Sequence, residues 1–471
     1  GEGFAGQQPR DPLHVVFTRS DSLICLRRVH SDVLVEGDSL MARAVRRSNI
    51  DPVIASFPVK CKALDGSSVF EATSFFVNGA PAMRPHDPYG INSFGGFLST
   101  TVNYVAGCSL LSGVEAFADN VSVLSSLSFT LTTRFGGYLI NKDTPYTALA
   151  RRSLMLLPRE VMMPRLCDSR IGTVPVAFVK FSDREQEAKA VYYACRWNLK
   201  PSDPAAFAAG KLTTPERPIV FYVDDTFPAG WYDAIRRGLL SWNAAFEKIG
   251  YRDAVQVRPY PRDDASFDPN DIKFSCVKYA NTMGESLSSS ARIDPRSGEI
   301  LSATICIPHN VTSRIRTDLF VQLGAADPDA RRVKMSPELF GKALAADVAR
   351  HTGACLGLAV NYAGSYCVPV DSLRSPSFTQ RYGISASIMD ELPYNLVAQP
   401  GDKERGVALM QQGPGVYDEY VVDWLYRPVP GAATPEDEVA ELDRRIAARR
   451  SDPMCLYTPP PVAVALDPRS M

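Results

Sequence analysis

A chain of 471 residues is long enough for two or three domains. Its 45% hydrophobic and 22% charged residues are those of a globular protein, and 51 basic against 52 acidic residues leave a formal net charge of -1. No basic tract with interleaved aromatics occurs, which argues against a nucleic-acid partner, and no apolar run approaches the roughly 20 residues that span a bilayer. The ten Cys show no C-x-x-C spacing, so neither a zinc ribbon nor a disulfide-dense scaffold is indicated.

In chain order, residues 11–200 read as a β-rich domain. Short β-branched and aromatic runs alternate with turn signals, and Asp65-Gly66 between the runs 57–61 and 69–73 predicts a hairpin. The Pro-, Gly- and Asn-rich stretch 84–96 reads as a long loop. Residues 201–217 form a Pro-, Ala- and Thr-rich linker. From 218 the pattern becomes α/β. A strand is expected at 218–224 and an amphipathic helix over 231–249, ended by Gly250, with Ile235, Leu239, Trp242 and Phe246 on its core face. Asp263, Asp264, Asp268 and Asp271 make an acidic loop that lacks EF-hand spacing, so a solvated loop is preferred to a calcium site. Strands follow at 272–279 and 299–307. Ser336 caps a helix with Pro337 in its first turn, running toward Leu356. A charged helix over 435–450 and a Pro-rich tail close the chain, in a last unit of 431–471. His14, His30, His86 and His309 stand alone in sequence and are expected on the surface or hydrogen-bonded.

One run carries chemistry. Arg350-His351-Thr352-Gly353-Ala354-Cys355-Leu356-Gly357-Leu358-Ala359-Val360-Asn361 follows the frame H-E-x-x-H-x-x-G-x-x-H. In that frame two His at i and i+4 share one helix face and reach one zinc ion. The Gly lets the backbone turn so that a third His completes the site, and the Glu takes a proton from metal-bound water. Here those positions hold Arg350, His351, Ala354 and Val360. Arg350 stays charged and cannot ligate a cation, and Ala354 and Val360 carry no donor atom. His351 and Cys355 are also i and i+4, and both residue types bind zinc. Their pair is turned by roughly 100° from the ridge Ala343-Asp347-Arg350-Ala354 and lacks a third partner. Cys355 instead continues the stripe Phe340, Leu344, Val348, a core face.

The flanking sequence resembles a family of large, exported bacterial zinc-dependent metalloproteases of the metzincin type. The similar segments are Asn361-Tyr362-Ala363-Gly364-Ser365, Ser387-Ile388-Met389-Asp390 and Tyr394-Asn395-Leu396-Val397-Ala398-Gln399-Pro400-Gly401. Upstream, Pro218-Ile219-Val220-Phe221-Tyr222-Val223-Asp224, Gly238-Leu239-Leu240-Ser241-Trp242 and Asp168-Ser169-Arg170-Ile171-Gly172 are similar too. The resemblance implies an α+β chain: a β-rich amino-terminal domain, then a metzincin-like domain over 218–430 with a mixed sheet and a long former active-site helix. Met389 matches the Met of the turn beneath the metal, while Asp390-Glu391-Leu392 departs from the aromatic-containing run that follows it. The resemblance also implies export, with the leader removed ahead of Gly1-Glu2-Gly3.

Three functions follow as expectations. The first is a catalytically inactive pseudopeptidase that binds a peptide or protein ligand, needs no cofactor, and meets carboxylates or carbonyls with Arg350. Arg350 has a blander reading, an ion pair with Asp347 or Asp390. The second is an active zinc metallopeptidase with a rearranged site at His351 and Cys355. The third is a structural subunit of a cell-envelope complex with a filled cleft.

Overall fold

The computed structural model describes residues 12–30, 32–35, 40–79, 97–183, 186–282 and 284–459. The fold is α+β, with strands dominating its amino-terminal part. Strands β1 (Val15–Ser20), β2 (Leu23–Arg28), β4 (Val53–Lys62) and β5 (Ser68–Phe70) form an antiparallel sheet. The β4–β5 pairing is the hairpin that Asp65-Gly66 announces, with Gly66 at φ 85°. A second sheet is built on the long hairpin β8 (Asn120–Phe135) and β9 (Tyr138–Met155). β6 (Leu98–Tyr104) and β7 (Leu110–Ala116) lie end to end on the other side of β8. β3 (Val33–Val35), β10 (Pro175–Phe181) and β11 (Lys189–Ala194) make a third sheet. The expected loop 84–96 lies outside the described residues.

The stretch read as a linker is structured. Asp203 caps the short helix Pro204–Ala208, and Pro201 bridges to Pro215. Beyond it stands a five-stranded sheet in the order β13 (Val255–Pro259), β12 (Ile219–Val223), β14 (Ser275–Ala280), β16 (Ile300–Pro308), β15 (Ser288–Ile293). Four strands are parallel, and β15 runs antiparallel to β16 at the edge. The sheet is therefore mixed. The interior strand β12 alternates fully buried Ile219, Phe221 and Val223 with half-buried neighbours.

The helix expected over 231–249 is two helices, Trp231–Leu240 and Asn243–Glu247. Side chains that bond the backbone explain the break. Ser241 Oγ donates to the Gly238 carbonyl at 2.7 Å, and Asn243 pairs both ways with the Val255 backbone at 2.9 Å. Ile235, Leu239, Trp242 and Phe246 are all fully buried, so the core face continues across the interruption.

The long helix Pro337–Cys355 packs across the helix Trp231–Leu240 and against β15 and β16. Ser336 Oγ accepts from Leu339 N at 3.2 Å, and Pro337 occupies the first turn where no N–H is needed. The charged helix Pro435–Arg449 joins this body to the amino-terminal part. Arg165 meets Glu438 through contacts of 2.8 and 2.6 Å, each side chain 2% exposed, and also donates to the Trp424 and Leu425 carbonyls. A guanidinium buried this deeply is tolerable only because nearly every donor has an acceptor.

Candidate functional site

The site helix ends on a left-handed residue. Gly357 has φ 87°, a conformation costly for any residue with a Cβ. The turn is also clamped. Val174 N donates to Gly357 O at 2.8 Å, and Ala359 N donates to Gly172 O at 3.0 Å. Trp197 Nε1 donates to Cys355 O at 2.9 Å, and Tyr426 Oη to Leu356 O at 2.7 Å. A Cβ on Gly357 would drive into the Cys195 carbonyl, whose carbon would lie 3.0 Å away. Segments on either side of the expected domain boundary thus fix the turn that a third metal ligand would need.

Beneath the helix lies Met389, 2% exposed. A Cβ at Gly353 would come 2.6 Å from Trp242 Cζ2 and closer still to Met389 Sδ, so the thioether and the indole press directly on the helix backbone. Trp242 Nε1 donates to Ala349 O at 2.8 Å. The Met389 turn hangs from Asp418, a fully buried carboxylate on the helix Val416–Tyr426. Ser387 Oγ donates to it at 2.6 Å, and Ile388 N and Gly415 N at 2.7 Å each. Burial pushes the Asp418 carboxyl up to about 7 against the pull of these donors. Asn361 N reaches Met389 O at 3.3 Å, and the Asn361 side chain holds Ala363, Leu456 and Thr458.

On this scaffold Arg350, Ala354 and Val360 are half-buried. Arg350 has no ion-pair partner among the described residues. Both blander partners are occupied elsewhere. Asp347 pairs with Arg314, which also holds Asp318 at 3.0 Å. Asp390 Oδ2 accepts from Ser365 N at 2.5 Å and Ser385 Oγ at 3.3 Å, a structural role in the turn. The ion pair read from the i, i+3 spacing fails because Arg314, on the helix Val311–Leu323, arrives from another element.

His351 turns toward the edge strand β15, where its Nδ1 lies 3.0 Å from Ser289 Oγ. Burial, reinforced by the charges of Arg350 and Arg314, pushes the imidazole down to about 3. Contact between His and Ser invites comparison with a nucleophile and its base. A base this weak does not draw a proton from an alcohol, and no carboxylate orients the ring among the described residues. Cys355 faces the core, 1% exposed, its thiol pushed up to about 12 by burial. Although i and i+4 place the two on one side of the helix, His351 is engaged at the strand and Cys355 in the core. Among the described residues no group of three or more His, Cys, Asp or Glu is placed to hold a metal ion. The donor set does not fit zinc.

The remaining candidates resolve individually. In the acidic loop, Asp264 Oδ1 accepts from Ser266, Asp268 Oδ1 accepts from Asn270 N at 2.7 Å, and Asp271 pairs with Lys273 at 2.8 Å. These are local turn bonds. His309 Nδ1 lies 2.7 Å from Tyr279 Oη, and His30 lies 3.9 Å from Asp32. His14 is half-buried with Nδ1 unpartnered, and His86 lies outside the described residues. Sequence reasoning did not find Ser289, Arg314 or Asp418. Each reaches the site from a distant element, and no local motif marks it.

No curated protein and no solved structure matches the chain. Residues 6–202 match a family described as a domain of unknown function. Residues 332–471, which hold the site helix, the Gly357 turn and Met389, match the family described as Met-zincin, and this part of the chain is metzincin-like.

Proposed function

We propose that the chain is a catalytically inactive relative of zinc metalloproteases, an exported pseudopeptidase that binds a peptide or protein. One observation carries the reading. The glycine turn and the Met beneath the helix are present, while Arg350, Ala354 and Val360 stand where three metal ligands are required. Losing partners that merely orient ligands costs about 10–100-fold in metal affinity, and here the ligands themselves are replaced.

Two features support binding without cleavage. Among the described residues the edge strand β15 pairs with β16 alone, and it lies beside the site helix. An extended peptide can add to such an edge through its main chain. Arg350, half-buried and without an ion-pair partner among the described residues, supplies a charge for a carboxylate or a peptide carbonyl. The alternative, an active metallopeptidase using His351 and Cys355, needs a thiolate that the core environment disfavours.

Calorimetry with a peptide library, run on the wild type and Arg350→Ala beside a cleavage assay, tests the proposal. Binding without hydrolysis, weakened in the variant, is the expected outcome. Identical binding by both proteins removes Arg350 from the role, and chelator-sensitive cleavage establishes the alternative.

A further inference from the structure

Away from the site helix, the first two amino-terminal sheets, that of β1 and that of β8, do not close on each other. Between them, and against the short helix Thr73–Phe76, lies a cavity of about 340 Å³. One wall carries Phe17, Phe57 and Phe70, with Phe57 and Phe70 stacked at 5.1 Å. The other carries Val114, Val123 and Leu154. Among the described residues Thr73 is the one polar residue of the lining, and none of the lining residues is charged. The cavity communicates with the surface, since Phe17 is 45% and Val114 57% exposed.

Chemistry narrows the occupant. A peptide in these walls would leave its N–H and C=O groups unpaired, at a cost no lining group offsets. A sugar or nucleotide meets the same objection. A hydrocarbon chain does not, and the volume lies in the range of small-molecule sites, roughly 300–1,000 Å³. Charge at the rim adds the headgroup. Arg152 shares a strand face with the lining residue Leu154, two positions on, and donates to Phe76 O at 2.6 Å. The positive charge of a guanidinium is thereby held beside the lining residue Phe76, and it favours a carboxylate or phosphate over a cationic headgroup.

We propose that this cavity binds the alkyl chain of an anionic amphiphile, with Arg152 facing the headgroup. Displacement of a polarity-sensitive fluorophore by saturated carboxylates of about eight to about sixteen carbons, kept below micelle formation, reads the affinity. Binding is expected to strengthen about fourfold per added methylene, the equivalent of roughly 0.8 kcal/mol, and then to level off once the cavity is full. Alkylammonium ions of equal length bind more weakly. Ala72→Trp, which fills the lining, abolishes displacement. Val114→Glu, at an exposed strand position and checked for native unfolding behaviour, weakens carboxylate binding as well. Co-sedimentation with phosphatidylglycerol vesicles separates the sources. Binding lost in Ala72→Trp assigns the chain to a membrane lipid, and binding of monomers alone assigns it to a free amphiphile. No displacement by any carboxylate overturns the proposal. So does displacement that both variants retain, or self-association through this face without amphiphile binding.

Discussion

Replacing Gly357 by Ala tests whether the metal-site scaffold still bears load after losing its ligands. Two penalties add at this position. An L-residue held at φ 87° costs roughly 1–2 kcal/mol. The new methyl also overlaps the Cys195 carbonyl, which is backbone and has no rotamer to escape into, and overpacking of this kind costs roughly 1–3 kcal/mol. Relief by moving the turn would stretch the bonds from Val174 N and to Gly172 O, worth about 1 kcal/mol each. A loss of about 2–5 kcal/mol follows, or roughly 4–20 °C in Tm at 2–4 °C per kcal/mol. Gly401→Ala is the control. Gly401 has φ 89° but nothing within 4 Å of an added Cβ, so it pays the conformational penalty alone. Urea and thermal unfolding of both variants separate the two penalties. A loss below about 1 kcal/mol for Gly357→Ala, or equal losses for both, refutes the claim that the turn is clamped between the two parts of the chain.

Rebuilding the ligand set by Arg350→His, His351→Glu, Ala354→His and Val360→His is expected to give a protein that takes up one zinc ion per chain, released by chelators; a folded variant without zinc contradicts the register. Asp418→Asn places an amide among three hydrogen-bond donors and is expected to cost about 1–3 kcal/mol by denaturant titration, because at least one buried donor loses its acceptor. His351 is held neutral, so the unfolded chain binds a proton that the folded one does not as pH falls below the ordinary His value of 6.5. Its contribution is intact above that pH and is lost between there and about 3, at up to about 1.4 kcal/mol per pH unit. His351→Gln, which keeps a partner for Ser289, is expected to flatten that part of the stability profile, and an unchanged profile contradicts the burial argument. Glu438→Gln leaves Arg165 charged and buried without its carboxylate, and about 3–5 kcal/mol should be lost in thermal unfolding.

What the sequence disclosed follows the range of each physical signal. Ser336-Pro337 announced the start of the site helix, Asp65-Gly66 the hairpin, and the β-branched and aromatic run 219–223 its strand, because capping, turn chemistry and local composition act within a few residues. The interrupted helix was missed because Ser241 and Asn243 bond to backbone at positions a periodicity count treats as neutral. β13 and β15 were missed for a related reason. β15 begins with three consecutive Ser, and its strand character comes from pairing with β16. At the site, the identities at 350, 354 and 360 could be read directly, but their partners could not. Arg314 taking Asp347, and Ser289 meeting His351, are contacts over 33 and 62 residues that only the fold creates. Asp390 looked like a partner for Arg350 because it lies near in the turn, yet the Ser365 N–H had already claimed it.

The most direct measurement is the metal content of the full-length protein, purified without chelator, dialysed against micromolar zinc and analysed by elemental mass spectrometry. Far less than one zinc per chain, unchanged by His351→Ala or Cys355→Ala, is the predicted result. One zinc per chain that disappears in either variant contradicts it and restores a working metal centre to this helix.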